Sequence, residues 1–226
     1  GANAMHGVIN VLSKPIDSGN KFSSNIGPNN YKNYKLRAGN QEDWSIDGFF
    51  ANNDGFRDKS GYDQQKIKIQ SNFSISSWNA SLKATLTNLN QETAGYVNGL
   101  NSYKDEDYSK QNFNPDAYRD ANSQRLSLRL TKENGNNIDS ITPYIRSNDM
   151  KFFQHFLPGT PLEENNHKSI GIVLQRISEY GNFNLVRGLQ IDIAKAELTE
   201  TQQENLTTSS AFNNATRPKG KHYDYE

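Results

Sequence analysis

Alternation of apolar and polar residues with a period of two constrains the fold of this chain more than any other feature of its sequence. Over residues 78–88 the apolar positions are Trp78, Ala80, Leu82, Ala84 and Leu86. The residues between them are Asn, Ser, Lys or Thr. Successive side chains of a strand lie on opposite faces of a sheet, so this segment is predicted to be a β-strand with one apolar and one polar face.

The same alternation recurs in five more segments. Residues 124–131 place three leucines opposite Arg, Ser and Thr, and the next run places Ile141 and Ile145 opposite Thr142, Tyr144 and Arg146. Weaker strands are predicted over residues 66–73, 170–174 and 183–194. Long helical periodicity is missing from the sequence, so the chain is predicted to be all-β.

Arg187 interrupts the apolar face of the last predicted strand. A charge at the middle of a bilayer costs about 2 to 4 kcal/mol and much less near the interface. If this face meets lipid, Arg187 is therefore expected near a rim of the sheet, or next to a β-bulge that shifts the register.

The predicted connections alternate between short and long. Residues 132–137 and 179–182 are tight turns with Gly, whereas residues 91–121, 151–167 and 199–222 are long polar loops. Outer-membrane barrels have short turns on the periplasmic side and long loops outside the cell. The pattern favours an antiparallel up-and-down transmembrane β-barrel, and a soluble β-sandwich or β-helix with polar loops is the alternative.

Composition excludes several classes of protein. The 226 residues include 25 Lys and Arg against 25 Asp and Glu, which gives no basic footprint for nucleic acid. The absence of cysteine removes disulfides, thiolate metal sites and thiol catalysis. No stretch approaches the roughly 18 apolar residues of a membrane helix, and no nucleophile elbow, phosphate-binding loop or dinucleotide motif is present. The sequence therefore predicts no enzyme activity, no cofactor and no nucleic-acid partner.

The first fourteen residues resemble the end of the plug domain of TonB-dependent outer-membrane receptors. That pattern reads Gly-x-Asn-Ala-x-x-Gly-Val-Ile-Asn-Ile-x-Thr-Lys, from which the chain departs by Val11 for Ile and Ser13 for Thr. The matching residues are Gly1, Asn3, Ala4, Gly7, Val8, Ile9, Asn10 and Lys14. The apolar residues of this motif are expected to form a short strand that is buried on both faces.

Weaker resemblance to the same family continues along the chain. Residues 53–58 resemble the end of the third barrel strand, residues 153–159 and 161–165 an extracellular loop of iron-complex receptors, and residues 221–225 the stretch before the following strand. Members of the family close about 22 strands around a plug. The resemblance implies a fragment cut at both ends, in which residues 1–18 end the plug and residues 19–226 begin the barrel.

Eight or nine strands are therefore expected in a curved, open sheet that cannot close by itself. Its convex face should carry Trp78, Leu82, Leu126, Leu128 and Ile172. The short turns should all lie at one end of the sheet. Two unpaired edges should make the isolated piece aggregate, or require detergent and the rest of the barrel.

The function that the resemblance implies is TonB-dependent import of a scarce ligand across the outer membrane of a Gram-negative bacterium. The implied ligand is a ferric siderophore or another iron complex, and cobalamin, haem and oligosaccharides are alternatives. TonB would bind through a segment upstream of Gly1, and the other partner is outer-membrane lipid.

A soluble or surface-attached β-rich module, for example one that binds glycans, is the competing hypothesis. A lipid-facing apolar band favours the receptor, and a second packed sheet favours the module.

Aromatic residues in the long loops are the candidate ligand contacts, because their side chains combine a large apolar area with a polar tip. The candidates are Tyr96, Tyr103, Tyr108, Phe152, Phe153 and His155. The alternative role of such residues near strand ends is the aromatic girdle of a barrel.

Cations on the polar faces of the predicted strands could attract an anionic ferric chelate. They are Lys66, Lys68, Lys83, Arg125, Arg129 and Arg146, of which Arg146 is the candidate ligand contact. Ion pairs with plug carboxylates are the alternative role for these cations. The spacing of the four histidines predicts no metal site, and the acidic run at residues 105–107 lacks the pattern of a calcium loop.

Overall fold

The computed structural model describes residues 16, 19–40, 43–154, 159–202 and 221–225. Ten antiparallel strands form one sheet in these residues, and their order in the sheet follows their order in the chain. The strands are β1 (Lys21–Gly27), β2 (Tyr31–Asn40), β3 (Trp44–Asn53), β4 (Tyr62–Ile75), β5 (Trp78–Glu92), β6 (Tyr118–Asn134), β7 (Asn137–Phe153), β8 (Pro161–Tyr180), β9 (Phe183–Gln202) and β10 (Lys221–Tyr225). The all-β, up-and-down architecture predicted from the sequence is confirmed, with ten strands where eight or nine were expected.

Three connections of two residues each, between β4 and β5, β6 and β7, and β8 and β9, lie at one end of the sheet. Connections at the opposite end include residues 54–61, 93–117 and 154–160. The three-residue turn between β1 and β2, residues 28–30, also lies at that opposite end, so the prediction that all short turns share one end was wrong for this turn. We call the two ends the short-turn end and the long-loop end.

The strands reach further toward the long-loop end than the sequence predicted. Residues 151–167 were expected to form a loop, but β7 continues to Phe153 and β8 begins at Pro161. The loop prediction was wrong for most of this segment because Glu163, Glu164 and their neighbours are polar on both faces, which hides the alternation while the backbone ladder to β9 persists. The end of the third strand at Asn53 agrees with the sequence prediction.

One face of the sheet carries the apolar residues of the alternating segments, and we call it the apolar face. A cross-strand row on this face runs without interruption from β3 to β9; its residues are Ile46, Ile69, Ala84, Leu126, Ile145, Ile170 and Ile193. Several of these side chains are open to the surroundings, with Ile170 58% and Ile193 70% exposed. Full burial of such a side chain is worth about 1.5 to 3 kcal/mol, so the face requires an apolar medium or a partner.

The described residues form a single sheet, with no second sheet packed against either face. Few side chains are almost fully buried, and most of these are small or polar, such as Ala80, Ser45 and Gln70. Burial of this kind comes from neighbouring strands of one layer. The described part of the chain therefore lacks the packed interior of a β-sandwich.

Arg187 lies near the short-turn end, four residues after the beginning of β9 at Phe183. Its cross-strand neighbour is Arg176, and the register between β8 and β9 is regular through this pair. The position near a rim, one of the two sequence-based alternatives, is therefore correct, and no bulge is needed.

The longest described connection, residues 93–117, contains the only helical elements in the described ranges. A short 3-10 turn at Ser102–Lys104 precedes a helix, α1, at Glu106–Lys110. Asp105 caps α1, because its side chain accepts a hydrogen bond from the backbone N–H of Tyr108 at 2.9 Å. No helix among the described residues has the length and apolar content to cross a membrane. The plug-like motif at residues 1–14 lies outside the described residues.

Candidate functional site

The polar face of the central strands is strongly basic. Lys66 and Lys68 of β4, Lys83 of β5, and Arg125 and Arg129 of β6 all lie on this face. We call these five residues the basic cluster. The register brings them into adjacent cross-strand rows. In one row, Thr85 lies between Lys68 and Arg125; in the next, Lys83 is the direct neighbour of Gln70. The period-two pattern of the sequence predicted this grouping.

Cations of the basic cluster have few acidic neighbours. Arg37 forms an ion pair with Asp47 at 2.5 Å, which occupies the nearest carboxylate of β3. Within the described ranges, Lys66, Lys83, Arg125 and Arg129 form no ion pair with a carboxylate. The cluster therefore presents positive charge that can attract an anion.

A hollow of about 1030 Å³ lies along this basic surface. Its lining residues include Lys66, Lys83, Arg125 and Arg129, together with hydroxyl side chains such as Thr85 and Ser127. The volume is at the upper end of the range typical of small-molecule sites, about 300 to 1,000 Å³. Cations and hydroxyl donors in one open hollow suit a bulky anionic ligand better than an apolar one.

Arg146 belongs to a different environment from the basic cluster, although it is the cross-strand neighbour of Arg125. Its guanidinium donates to Asp192 at 2.8 Å and to the Ser169 hydroxyl at 2.5 Å. The hydroxyl of Tyr144 also donates to the Asp192 carboxylate. Arg146 thus has a structural partner on β9, and its charge is less available to a ligand than that of Arg125.

Tyr144 is almost completely buried on the polar face, at 8% exposure. Gln190 donates to its hydroxyl at 3.3 Å, and the Arg146 guanidinium carbon is 5.6 Å from the ring centroid. The resulting network of Tyr144, Arg146, Asp192 and Ser169 joins β7, β8 and β9. The sequence analysis did not identify this network, because Asp192 lies 48 residues from Tyr144 and 46 from Arg146 in the chain.

The three candidate tyrosines of the long loop occupy two kinds of position. Tyr96 and Tyr103 are 73% and 70% exposed, which leaves their rings free to contact a ligand. Tyr108 lies in α1 and packs against Phe113, with ring centroids 5.6 Å apart. Tyr108 therefore contributes to the folding of the loop as well as to its surface.

Phe152 and Phe153 are consecutive in β7 and lie on opposite faces of the sheet. On the polar face, the Arg119 guanidinium stacks on the Phe152 ring at 4.3 Å. On the apolar face, Phe153 lies beside Tyr118, with ring centroids 6.3 Å apart. Phe152 can therefore line the same side as the basic cluster, whereas Phe153 has the position of an outward-facing girdle residue. His155 lies outside the described residues.

These candidate residues do not form one compact site. Arg146 and Phe152 are six residues apart on β7, which corresponds to about 20 Å along the strand. The aromatic candidates lie at the long-loop end, and the basic cluster lies closer to the short-turn end of the same sheet. Such an arrangement can guide a ligand along a surface. Among the described residues no group of three His, Asp or Glu side chains is placed to hold a metal ion.

Two solved structures resemble this chain in fold. The siderophore receptor PiuA from Acinetobacter baumannii superposes with a TM-score of 0.63 and 10% sequence identity, over 94% of this chain and 38% of PiuA. The ferric citrate transporter FecA in its unliganded form superposes with a TM-score of 0.58 and 10% identity, over 79% of this chain and 28% of FecA. No family model and no curated protein matches the sequence.

The comparison defines the class of fold. At 10% identity the likeness concerns architecture alone, and this architecture is a part of an antiparallel up-and-down β-barrel. The chain spans less than two fifths of the length of either structure. These two solved structures are of a transporter and a receptor.

Proposed function

We propose that this chain is part of a TonB-dependent outer-membrane receptor that imports a scarce anionic ligand. The observation that carries the proposal is the sheet itself, with an apolar row that continues from β3 to β9, three two-residue turns at one end and the long connections at the other. This combination is expected of outer-membrane barrels, and the fold shared with PiuA and FecA supports it.

In this proposal, residues 19–226 begin the barrel and residues 1–18 end a plug that fills it. The resemblance of residues 1–14 to the plug motif supports the second assignment. TonB would act on the plug through a segment upstream of Gly1, and the ligand would then pass along the polar face to the periplasm. Transport of this kind requires no chemistry on the ligand, which agrees with the absence of a catalytic motif from the sequence.

We further propose that the ligand is a ferric siderophore or another anionic iron complex. The unpaired cations of the basic cluster support this choice, because they line a hollow of about 1030 Å³ on the face that would surround the plug. Exposed Tyr96 and Tyr103 would make the first contacts at the long-loop end. The alternative role of the cluster, ion pairing with plug carboxylates, would reduce the charge available to the ligand.

The test is uptake of labelled ferric chelates by iron-limited cells that carry the full-length gene, lack it, or lack TonB. Uptake that requires both proteins is the expected result. Complementation with the full-length Arg125→Gln/Arg129→Gln variant should restore outer-membrane protein but lower uptake. The double substitution Lys21→Gln/Lys35→Gln is the matched control, because it also removes two strand cations of the polar face but none from the basic cluster.

Uptake that is unaffected by loss of the gene or of TonB would contradict an iron complex as ligand. The same strains would then be assayed for uptake of labelled cobalamin, haem and oligosaccharides. If none of these is imported in a TonB-dependent way, the import function itself is wrong.

A further inference from the structure

A row of charged residues crosses the apolar face near the short-turn end. Lys132 of β6 is the cross-strand neighbour of Asp139, Asp139 of Arg176, and Arg176 of Arg187. Trp78 of β5 completes the row, with the Lys132 ammonium 6.0 Å from its ring centroid. These side chains share the face that carries Leu126, Ile170 and the other exposed apolar residues.

Three cations in this row accompany a single carboxylate. Arg176 takes both oxygens of Asp139, at 2.5 and 2.8 Å. Among the described residues, Arg187 hydrogen-bonds to the Ser178 hydroxyl at 3.3 Å, and Lys132 lies over the Trp78 ring. Neither cation forms an ion pair within 4 Å of a carboxylate in the described part of the chain, although Lys132 is the cross-strand neighbour of Asp139. Two positive charges therefore remain unmatched.

Two arginines in directly opposite cross-strand positions repel one another, and like pairs of this kind destabilise a sheet. A cation on a lipid-facing surface adds a cost that depends on its depth in the bilayer. Both costs are offset if an anion lies between the guanidinium groups. Phosphate suits this role, because an arginine fork can donate two hydrogen bonds to it.

The apolar residues around the row indicate that such an anion is attached to an apolar group. A hollow of about 480 Å³ lies here, lined by Trp78, Asp139, Arg176 and Arg187 and by the apolar side chains Ile141, Leu174 and Leu189. The apolar side chains continue directly into the exposed apolar face. A headgroup phosphate would therefore meet the arginines while its acyl chains lie along the isoleucines and leucines. Tryptophan is common at this depth of a membrane.

We propose that this hollow binds the phosphate of a membrane glycerophospholipid in the leaflet adjacent to the short turns. The proposal rests on the membrane-spanning barrel of the proposed function. Arg187 binds the phosphate with its guanidinium fork. Arg176, whose fork holds Asp139, and Lys132 add electrostatic attraction, and Trp78 borders the headgroup. The site would fix the depth and orientation of β6–β9 in the bilayer.

The test uses the full-length protein that contains this chain, purified in detergent. Native mass spectrometry would measure binding of phosphatidylglycerol, phosphatidylethanolamine and phosphate-free diacylglycerol. Both phospholipids should bind more tightly than diacylglycerol. The Lys132→Gln/Arg187→Gln variant should weaken phospholipid binding by about fivefold to tenfold, the effect of losing charge-assisted hydrogen bonds, and leave diacylglycerol binding unchanged.

Two further variants separate the site from general effects of charge and folding. Arg187→Lys retains the charge but loses the fork, and should therefore weaken phospholipid binding less than Lys132→Gln/Arg187→Gln does. Lys35→Gln/Arg119→Gln removes two cations from the opposite face and should bind phospholipid like the unmodified protein. Equal binding of all three lipids, unchanged affinity in Lys132→Gln/Arg187→Gln, or competition by millimolar inorganic phosphate as strong as by phospholipid would each overturn the proposal.

Failure of the barrel is distinguishable from failure of the lipid site. A protein that does not insert into phospholipid vesicles and does not migrate as a compact, heat-modifiable species on gels would contradict the proposed function. If it inserts normally and the double variant binds phospholipid unchanged, only the lipid site is wrong.

Discussion

The ring of Tyr144 lies directly over Gly171, its cross-strand neighbour on β8. A Cβ atom at Gly171 would be 2.5 Å from both Cζ and the hydroxyl oxygen of Tyr144, and 2.8 Å from the backbone oxygen of Ile191. No real Cβ tolerates such contacts. The absence of a side chain at Gly171 is therefore what allows Tyr144 to lie flat across the sheet and reach Asp192 on β9.

The Gly171→Ala substitution should consequently destabilise the sheet. The added methyl displaces the Tyr144 ring and its hydrogen bond to Asp192, and we expect a loss of about 1 to 3 kcal/mol in the free energy of unfolding. Urea unfolding of the full-length protein in lipid vesicles would measure it. Gly48→Ala on β3 is the matched control, since a Cβ there meets neighbours only at ordinary contact distances of 3.8 and 3.9 Å. Equal effects of the two substitutions would show that the Tyr144 contact is unimportant.

Arg146 and the basic cluster should respond to charge removal in opposite ways. Arg146→Gln removes the partner of Asp192 and should cost about 1 to 2 kcal/mol of stability, with little effect on ligand affinity. Arg125→Gln/Arg129→Gln should leave stability unchanged and raise the Kd for an anionic ferric chelate by about threefold to tenfold. Unfolding curves and ligand titrations on the same preparations would compare them. A loss of affinity in Arg146→Gln alone would reverse the two roles.

The two-residue turns predict a stabilising substitution. Their first residues are Ser76, Gly135 and Gly181, which have φ angles of 53°, 57° and 54°. Left-handed backbone is readily adopted by glycine and disfavoured for serine. Ser76→Gly should therefore stabilise the β4–β5 hairpin by about 0.5 to 1 kcal/mol, and Gly135→Ser should destabilise the β6–β7 hairpin by a similar amount. Urea midpoints that move in the same direction for both variants would contradict this.

The long loop should lose local order in acid. The Lys110 ammonium donates to Glu106 at 2.7 Å and holds the pKa of that carboxyl below its ordinary value, while the Glu106 carboxylate raises the pKa of Lys110. The contribution of Glu106 is therefore complete above about pH 4.3, the value for an unperturbed glutamate, and is lost as the pH falls through the lowered pKa.

At the basic end of the range, the contribution of Lys110 is complete below about pH 10.4, the value for an unperturbed lysine, and is lost as the pH rises through the raised pKa. Amide exchange of α1 as a function of pH would follow both limits. Glu106→Gln should remove the acid-dependent change and leave the exchange of β5 unaltered. If the protection factor of the α1 amides, which compares their exchange rate with that of an unstructured peptide at the same pH, stays constant across this acid range, the ion pair does not order the helix.

Fold prediction from the sequence succeeded wherever one face of a strand is apolar. Ile141 and Ile145 were assigned to one face of β7, and the register confirms them as neighbours of Leu174 and Ile170. Prediction failed at Glu163 and Glu164, where both faces are polar and the strand is held by the backbone ladder and by polar side-chain contacts from Gln154 and Lys151. Hydrophobic periodicity contains no information about a ladder of that kind.

The candidate site was less predictable than the fold. The alternation of residues identified the basic cluster, because the position of a residue along a strand determines the face of the sheet on which its side chain lies. It could not reveal that Arg146 has an acidic partner while Arg125 and Arg129 have none among the residues that the structure describes, since Asp192 is 46 residues from Arg146 in the chain. Which cations are free depends on the register of distant strands, and no local pattern records it.

The cross-strand row that starts at Phe22 on β1 ends at Lys195 on β9. Both residues lie on the apolar face, but the first is apolar and the last is charged. On β1 the apolar residues extend from Phe22 toward the long-loop end, as at Ile26, and on β9 they lie at Leu189, Ile191 and Ile193, toward the short-turn end. A level bilayer can cover both sets only if the strands lean. Each strand is thus shifted along its axis relative to the strand before it, and the shift adds up from β1 to β9. Any set of strands that joins the two edges of this sheet must match the total shift in register.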